Sequence, residues 1–405
     1  MSVTIPWPTS STKDQPQRGG SGQLINALME QLPDGRVNRK RAPGIASFGQ
    51  SASGSIHCRG LIQANSAQLL AVYNDTVEVI GADGIATALG SLAGYGVVTL
   101  AKNIKFPVPD IVCVQPGTAY TLTPSAAPQP YPDIDVGSPN SVCYGDGYFF
   151  FTYGSGECQA SAVNGTAINP LDRIKVNSSA SELKRGVFYS QTLYLFNNET
   201  TEAWTDTANP TGFPFSRSAV IPRGLANYSA VAGFDSGFTS TLIFVGSDNI
   251  VYLMRGYDPI RISTSDIERR ISNVADKTTL RACVYMSEGH AIWQLSSSDF
   301  TLCFDVTNTY WFERKSVGLG FSRIESSAAM FGGWIVGDYA TGKLGRISAN
   351  TFSEYGAALN WVVQSLPSDA FPSRTIVRKV DFNFIVGIGT TPTSEPIDPE
   401  TDWTA

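Results

Sequence analysis

The chain has 405 residues, of which 42% are hydrophobic, 11% are aromatic and only 16% are charged, and its formal net charge is −6. An acidic balance of this size excludes a protein that coats nucleic acid through clustered lysine and arginine. The 38 glycines and the low charge are typical of short strands joined by tight turns, so the composition favours an all-β fold over a helical bundle.

Residues 1–22 are rich in proline, serine, threonine and glutamine and contain no apolar core, which predicts an extended or disordered arm. We expect the next segment, residues 23–53, to close or brace a larger fold. The apolar residues around Leu24 and Leu28 predict either a helical turn or a strand that inserts in a neighbour. The basic run "RVNRKR" in this segment contains four cations: Arg36, Arg39, Lys40 and Arg41. This run is a candidate contact with phosphate or with an acidic protein neighbour, or else a solvated turn.

From residue 54 to residue 351, short apolar runs alternate with turns rich in glycine, asparagine and aspartate. Hairpin bends are predicted at Asn74-Asp75 and at Asp146-Gly147. The strand-and-turn unit recurs at roughly 35–50 residues, which is the range of propeller blades. We predict an all-β β-propeller of six or seven irregular blades over residues 54–351, and a tandem of β-sandwiches is the structural alternative.

The stretch "SDIERRISN", residues 265–273, differs from the strand patterns around it. Ser265 and Glu268 have the spacing of a capping box, and Ile267 and Ile271 lie four residues apart, so a short helix is predicted. We interpret this helix as a connection between two blades, carried outside the sheet, with its isoleucines packed on the propeller wall. Its charged side chains would face solvent or a neighbouring subunit, and they complete the candidate interface: Asp266, Glu268, Arg269 and Arg270.

Residues 352–405 change in character, because the positions from Val380 to Val386 alternate strictly between two faces. This pattern predicts an additional C-terminal β-sheet domain over residues 352–405. We expect it to be sandwich-like and incomplete, with one wall of the sandwich missing.

Cysteine and histidine usage argues against a metal centre. The six cysteines form no Cys-x-x-Cys pair and there are only two histidines, so we expect no metal and no cofactor. His57 and Cys58 could be two adjacent ligands, although neighbours on opposite faces of a strand are the commoner case. The scattered cysteines predict buried free thiols and synthesis in a reducing compartment. No apolar stretch is long enough to span a membrane.

No catalytic motif is present: the sequence contains neither a Gly-x-Ser-x-Gly elbow nor a P-loop. Paired carboxylates are relevant because propellers host glycosidases. Asp133 and Asp135 would share a face if extended, whereas Asp305, Glu313 and Glu325 could approach one another only through the fold. Four tryptophans could stack on sugars, although core packing is the commoner role: Trp204, Trp293, Trp311 and Trp334. A propeller that binds polysaccharide or cleaves glycosides is therefore one candidate function, and a bacterial surface-binding module is another.

Several stretches, in their order along the chain, resemble one family. They are "QLINALMEQLPDGRVNRKRAPGIASFG", "PIRISTSDIERRISN", "AIWQLSSSDFTLCFDVTNTYWFER", "GGWIVGDYATGKLGRIS" and "RKVDFNFIVGIGT". Over roughly residues 23–390 the chain resembles the packaged-DNA stabilisation protein of P22-like podoviruses, a tail accessory factor that is also called the tail hub or nozzle.

The resemblance implies a structural virion protein that is not an enzyme. It implies a ring of this chain with itself, expected to be a hexamer, below the portal-adaptor (head-completion) protein in the virion tail. That ring would extend the DNA channel, retain packaged DNA and dock tail needle, fibre or tailspike proteins. Double-stranded DNA would pass without specific binding, which suits an acidic subunit that repels phosphate. Synthesis is expected in the bacterial host cytoplasm.

Overall fold

The structure is a computed structural model that describes residues 8–11, 22–32, 35, 37–179, 181–209 and 212–365. Arg36, most of the predicted N-terminal arm and the alternating stretch from Val380 to Val386 lie outside the described residues. The N-terminal segment forms four strands: β1 Gln23–Ile25, β2 Ala27–Gln31, β3 Val37–Arg41 and β4 Gly44–Gln50.

Seven blades follow in chain order, as the propeller prediction requires, and the first four each contain four antiparallel strands. Blade 1 comprises β5 Cys58–Gln63, β6 Gln68–Tyr73, β7 Thr76–Gly81 and β8 Ala86–Ser91. Blade 2 comprises β9 Thr99–Lys102, β10 Ile111–Gln115, β11 Thr118–Thr123 and β12 Ala126–Pro130. Blade 3 comprises β13 Ser141–Gly145, β14 Tyr148–Thr152, β15 Glu157–Ser161 and β16 Ile168–Lys175. Blade 4 comprises β17 Leu183–Tyr189, β18 Thr192–Asn197, β19 Thr201–Asp206 and β20 Phe215–Ile221.

The remaining blades include the α-helix and borrow strands from both ends of the described chain. Blade 5 comprises β21 Val231–Ala232, β22 Ile243–Val245, β23 Val251–Arg255 and β24 Asp258–Arg261, and it leads into helix α1 Ser265–Ser272. Blade 6 comprises β25 Arg281–Ser287, β26 His290–Ser296, β27 Thr301–Asp305 and β28 Tyr310–Glu313. Blade 7 begins with β29 Ile324–Met330, β30 Gly333–Asp338 and β31 Lys343–Ser348. The last described strands are β32 Ser353–Glu354, β33 Ala357–Ala358 and β34 Val362–Gln364, and short 3-10 helices occupy Ile134–Val136 and Lys277–Thr279.

Strands from the N-terminal segment complete the last two blades. β4 pairs antiparallel with β31, with Ile45 opposite Ile347, and so supplies the fourth strand of blade 7. β1 pairs parallel with β28 at the outer edge of blade 6. The innermost strand of blade 7, β29, contacts the innermost strand of blade 1, β5, and this contact closes the circle. Leu24 and Leu28 therefore lie in strands and are buried within their own chain.

The described part of the predicted C-terminal sheet domain extends the blades instead. β32 and β33 continue blade 7 beyond β4, and β34 continues blade 6 beyond β1. The rest of that prediction, residues 366–405, lies outside the described residues.

The core consists of apolar layers between neighbouring blades. Alternate side chains of β14 point toward different neighbouring blades. Phe149 and Phe151 pack against blade 2, while Phe150 packs against blade 4. All three side chains are fully buried, and each contributes about 1.5–3 kcal/mol to the hydrophobic stabilisation. The predicted bends at Asn74 and Asp146 are confirmed, with positive φ angles of 43° and 48°. Such angles are typical of two-residue hairpin turns.

The prediction of buried free thiols is confirmed, since all six cysteines are buried and unpaired. His57 does not belong to a strand; it has a φ of 58° and precedes the buried Cys58 at the start of β5. Among the described residues no cluster of three His, Cys, Asp or Glu side chains could hold a metal ion. Helices in the described part of the chain are all too short or too polar to serve as a membrane span.

Candidate assembly surfaces

Helix α1 joins blade 5 to blade 6, as predicted for a blade connection. Ile267 and Ile271 are fully buried against the propeller wall, and this part of the prediction is confirmed. The predicted capping box is wrong, because the helix begins at Ser265 and its N-cap is Thr264, which makes no side-chain capping bond. Glu268 instead accepts hydrogen bonds from Arg261 Nε at 2.7 Å and from Ser263 Oγ at 2.7 Å.

The four charged residues of the helix differ in how far their side chains are exposed to solvent. Asp266 is 2% exposed and lies with its Oδ1 atom 2.5 Å from Arg269 Nη2. Arg270 turns inward, donates to Glu313 Oε2 at 3.1 Å, and covers the Phe300 ring at 5.1 Å. The side chain of Arg269 is 52% exposed, so it is the member of this group that faces outward.

Glu313 is a buried junction that sequence patterns did not identify. Its carboxylate is fully buried at the end of β28 and accepts from Gln23 Nε2 at 2.8 Å and from Ser11 Oγ at 3.2 Å. Together with Arg270, these contacts join the N-terminal segment, helix α1 and blade 6. A charged hydrogen bond in such a site is strong because it is shielded from water.

The basic hairpin formed by β2 and β3 also borders blade 6. Arg39 Nε donates to the Pro8 carbonyl at 3.2 Å, and burial lowers the pKa of Arg39. Lys40 forms ion pairs with Glu288 at 3.0 Å and with Glu30 at 3.5 Å. Arg41 lies over the Phe352 ring at 5.2 Å. The described cations of the candidate interface therefore contact their own chain. Lys40 and Arg270 both reach blade 6, through Glu288 and Glu313 respectively.

A loop between β9 and β10 exposes three large apolar side chains, which we call the blade 2 apolar loop: Ile104, Phe106 and Val108. Their exposed fractions are 76%, 93% and 62%. The Ile104 backbone N–H donates to Tyr144 Oη at 3.4 Å, and Tyr144 Oη donates to Asn164 Oδ1 at 2.6 Å, so the loop adjoins blade 3. The sequence signal was the apolar–proline alternation in "IKFPVPD".

A second exposed apolar group lies at the outer edge of blade 6. Trp361 and Val362, at the start of β34, are 39% and 43% exposed, and we call them the blade 6 edge. In a circle of seven blades, blade 2 lies three blades from blade 6, counted through blades 7 and 1, and three is the largest separation that seven blades allow. The blade 2 apolar loop and the blade 6 edge therefore lie on opposite sides of the propeller.

The carboxylates considered for glycoside cleavage serve separate structural roles. Asp133 accepts from the backbone N–H groups of Asp135 at 3.1 Å and Ile168 at 2.7 Å. Asp305 pairs with His290 at 2.6 Å, Glu313 belongs to the junction at the end of β28 in blade 6, and Glu325 lies in β29 of blade 7, where it lines a cavity on the propeller axis. The fold does not bring these groups to one site.

The tryptophans are core residues rather than a sugar platform. Trp293, Trp311 and Trp334 are 0%, 3% and 6% exposed. Trp204 is half-buried and donates to Glu202 Oε2 at 3.0 Å.

Comparison with solved structures supports the fold. The chain is similar to the WD40 propeller domain of Doa1, with 11% identity, a TM-score of 0.50, and coverage of 76% of this chain and 97% of that one. It is similar to virginiamycin B lyase from Staphylococcus aureus, with 12% identity, a TM-score of 0.51, and coverage of 75% and 98%. It is also similar to Raptor from Chaetomium thermophilum, with 10% identity, a TM-score of 0.50, and coverage of 76% and 30%. Identities this low establish a shared fold and nothing about activity.

A search of curated proteins found no match. Residues 29–352, which include all seven blades and most of the N-terminal segment, match the family model described as "Bacteriophage P22 Gp10, beta-propeller". The chain therefore belongs to this family of phage-stabilisation propellers.

Proposed function

We propose that the chain is a structural subunit of the phage tail that assembles with copies of itself into a ring, expected to be a hexamer. The observation that carries this proposal is the pair of exposed apolar surfaces on opposite sides of the propeller. A head-to-tail ring needs two different, complementary patches on each subunit, placed so that a rotation closes the circle. The blade 2 apolar loop and the blade 6 edge support this proposal, because they are two different exposed apolar patches on opposite sides of one subunit.

Large apolar side chains exposed together usually mark an interaction site. Phe106 is almost entirely exposed, and burying an aromatic side chain of its size stabilises an interface by about 1.5–3 kcal/mol. On the opposite side, the Trp361 ring provides an aromatic partner of the kind that concentrates binding energy in interfaces. In the proposed ring of subunits, apolar side chains would form the contact between neighbours. Arg269 would be the charged side chain of helix α1 that faces outward.

The ring would sit below the portal-adaptor protein, extend the DNA channel, help retain packaged DNA, and dock the tail needle and fibre or tailspike proteins. These partners rest on family membership and on the resemblance described above. A subunit of net charge −6 would let double-stranded DNA pass without binding it. The role is structural and needs no catalytic residue.

A complementation experiment tests the proposal. Phage that lack this gene would be grown with wild-type protein, with Phe106→Asp, or with Val220→Asp. Val220 is a matched control because it is 46% exposed but lies on the outer strand of blade 4, away from both surfaces. We expect Phe106→Asp to fold normally but to be missing from particles, which would lose their DNA, while Val220→Asp supports normal particles. Full incorporation of Phe106→Asp would contradict the proposed contact.

A further inference from the structure

The innermost strands of the propeller surround a cavity of about 300 Å³ on its axis, which we call the axial cavity. This space holds several water molecules or one small ligand. Five charged residues line it: Arg59, Arg185, Asp235, Arg281 and Glu325. The assembly surfaces described above do not include this cavity.

The three arginines come from blades 1, 4 and 6, and each is held in place by groups that carry no negative charge. Arg59 donates to the carbonyls of Gly94 and Gly96. Arg185 Nη1 donates to the Tyr228 carbonyl at 2.7 Å.

Arg281 is held by aromatic rings, since its guanidinium lies 4.5 Å from the Tyr339 ring centre and 5.9 Å from that of Phe321. Among the described residues, none of the three arginines forms an ion pair with a carboxylate. Positive charge is therefore concentrated around the cavity, and these contacts fix the orientation of the guanidinium groups.

Several polar atoms of these side chains have no hydrogen-bond partner among the described residues. They are Nε of Arg59, Nε and Nη2 of Arg281, and Oε2 of Glu325. Native proteins leave few buried polar atoms unsatisfied, so a group of them beside one cavity indicates a missing partner. The missing partner must accept from guanidinium groups and donate to a carboxylate oxygen.

Three guanidinium groups line the cavity against two carboxylates, so positive charge is in excess around it. Burial raises the pKa of Asp235, so this group loses charge more readily than an exposed aspartate. Glu325 Oε2 lies 3.7 Å from His57 Nδ1, and this contact raises the pKa of His57.

We propose that the axial cavity binds inorganic hydrogenphosphate. This ion accepts hydrogen bonds from guanidinium N–H groups and still carries one O–H that can donate to Glu325. Sulfate has the same shape and accepts in the same way, but it has no proton to donate at neutral pH, and Glu325 would repel it. The site therefore discriminates between two anions of nearly equal size.

Isothermal titration calorimetry of the full-length protein with inorganic phosphate tests the proposal, with sulfate as the discriminating anion. A second arm uses 5′-phosphorylated dithymidylate, whose terminal phosphate has lost most of its last proton at neutral pH. We expect saturable binding of inorganic phosphate at one site per chain, and at least tenfold weaker binding of sulfate and of the dinucleotide. Absence of saturable binding of inorganic phosphate by the folded wild-type protein, or binding of sulfate or the dinucleotide as tight as that of phosphate, would overturn the proposal.

Variants test the residues. Arg281→Gln and Arg59→Gln should each weaken phosphate binding about tenfold, since each removes one charged donor. Glu325→Gln should narrow the difference between phosphate and sulfate, because it removes the repelling charge. Arg255→Gln, at an exposed position of blade 5, is the control and should bind normally. If Arg281→Gln does not fold, Arg59→Gln and Glu325→Gln decide. Wild-type phosphate affinity in Arg59→Gln, together with wild-type preference for phosphate over sulfate in Glu325→Gln, would contradict the site.

Discussion

At the scale of single residues, two neighbouring arginines on helix α1 have different roles. Arg270 pairs with the fully buried Glu313, whereas the Arg269 side chain is half-exposed beside Asp266. Arg270→Glu should destabilise the folded chain by about 3–5 kcal/mol, because it removes a cation that donates to the buried Glu313 carboxylate and adds a like charge. Arg269→Glu should cost less, since water screens its charge. Chemical denaturation of both variants measures the difference, and equal losses would contradict the junction at Glu313.

The thiols provide a second residue-scale prediction. Burial raises the pKa of Cys58, Cys113, Cys143 and Cys283 to about 12, and it also raises the pKa of Cys158 and Cys303. Because the thiolate is the reactive form, the native protein should not react with Ellman's reagent at pH 8. All six thiols should react after unfolding in guanidinium chloride. A fast reaction of even one thiol in the native protein would show that its blade opens.

Single residues were predictable from the sequence where a local pattern carried the information. The four-residue spacing of Ile267 and Ile271 was sufficient to predict their burial, and scattered cysteines in apolar runs indicated buried thiols. Glu313 and Arg314 were not predictable, because their partners lie far away in sequence. Arg314, fully buried, donates to Glu354 Oε1 at 3.0 Å and to the Pro43 carbonyl at 3.0 Å, and no short motif encodes such contacts.

At the scale of elements, the close approach of blades 3 and 4 depends on a glycine. Gly145 ends β13 where the Phe188 ring of β17 packs, and a Cβ atom at this position would overlap that ring. Gly145→Ala should therefore destabilise the protein by about 1–3 kcal/mol through overpacking. Gly165→Ala is the control, because the nearest atom to its Cβ would be 3.7 Å away. Thermal unfolding compares the two, and equal melting temperatures would contradict this packing.

The N-terminal strand β4 provides the other element-scale prediction. Ile45 is fully buried where β4 completes blade 7, so Ile45→Ala should destabilise the protein by about 2–5 kcal/mol. Val37 lies in the β2–β3 hairpin, is 36% exposed, and serves as the control. Urea unfolding curves give both values. A negligible effect of Ile45→Ala would mean that blade 7 does not need its borrowed strand.

Elements were predictable from the sequence to the extent that each blade repeats the same local signal. The bends at Asn74 and Asp146 were found because left-handed turn residues stand between apolar runs. The sequence predicts six or seven blades without deciding between the two numbers, since β21 contains only two residues and blade 7 takes its outer strand from the N-terminal segment of the chain. Neither the shortness of β21 nor the borrowed strand of blade 7 produces a periodic pattern in the sequence.

At the scale of the whole molecule, the closed circle of seven blades fixes the relative positions of surfaces that lie far apart in the sequence. The order of the blades places the blade 2 apolar loop opposite the blade 6 edge, and this relation exists only after the circle has closed. The sequence showed the apolar residues of the loop but not their position relative to Trp361. Assembly through opposite sides needs no catalytic group, which agrees with the scattered positions of the candidate carboxylates.

The most direct test of the ring is the copy number of this chain in purified virions, measured by quantitative mass spectrometry against the portal protein. We predict about six copies for each portal ring, which is the copy number of the proposed hexameric ring. Absence from particles, or far less than one ring of copies for each particle, would contradict the proposed structural role.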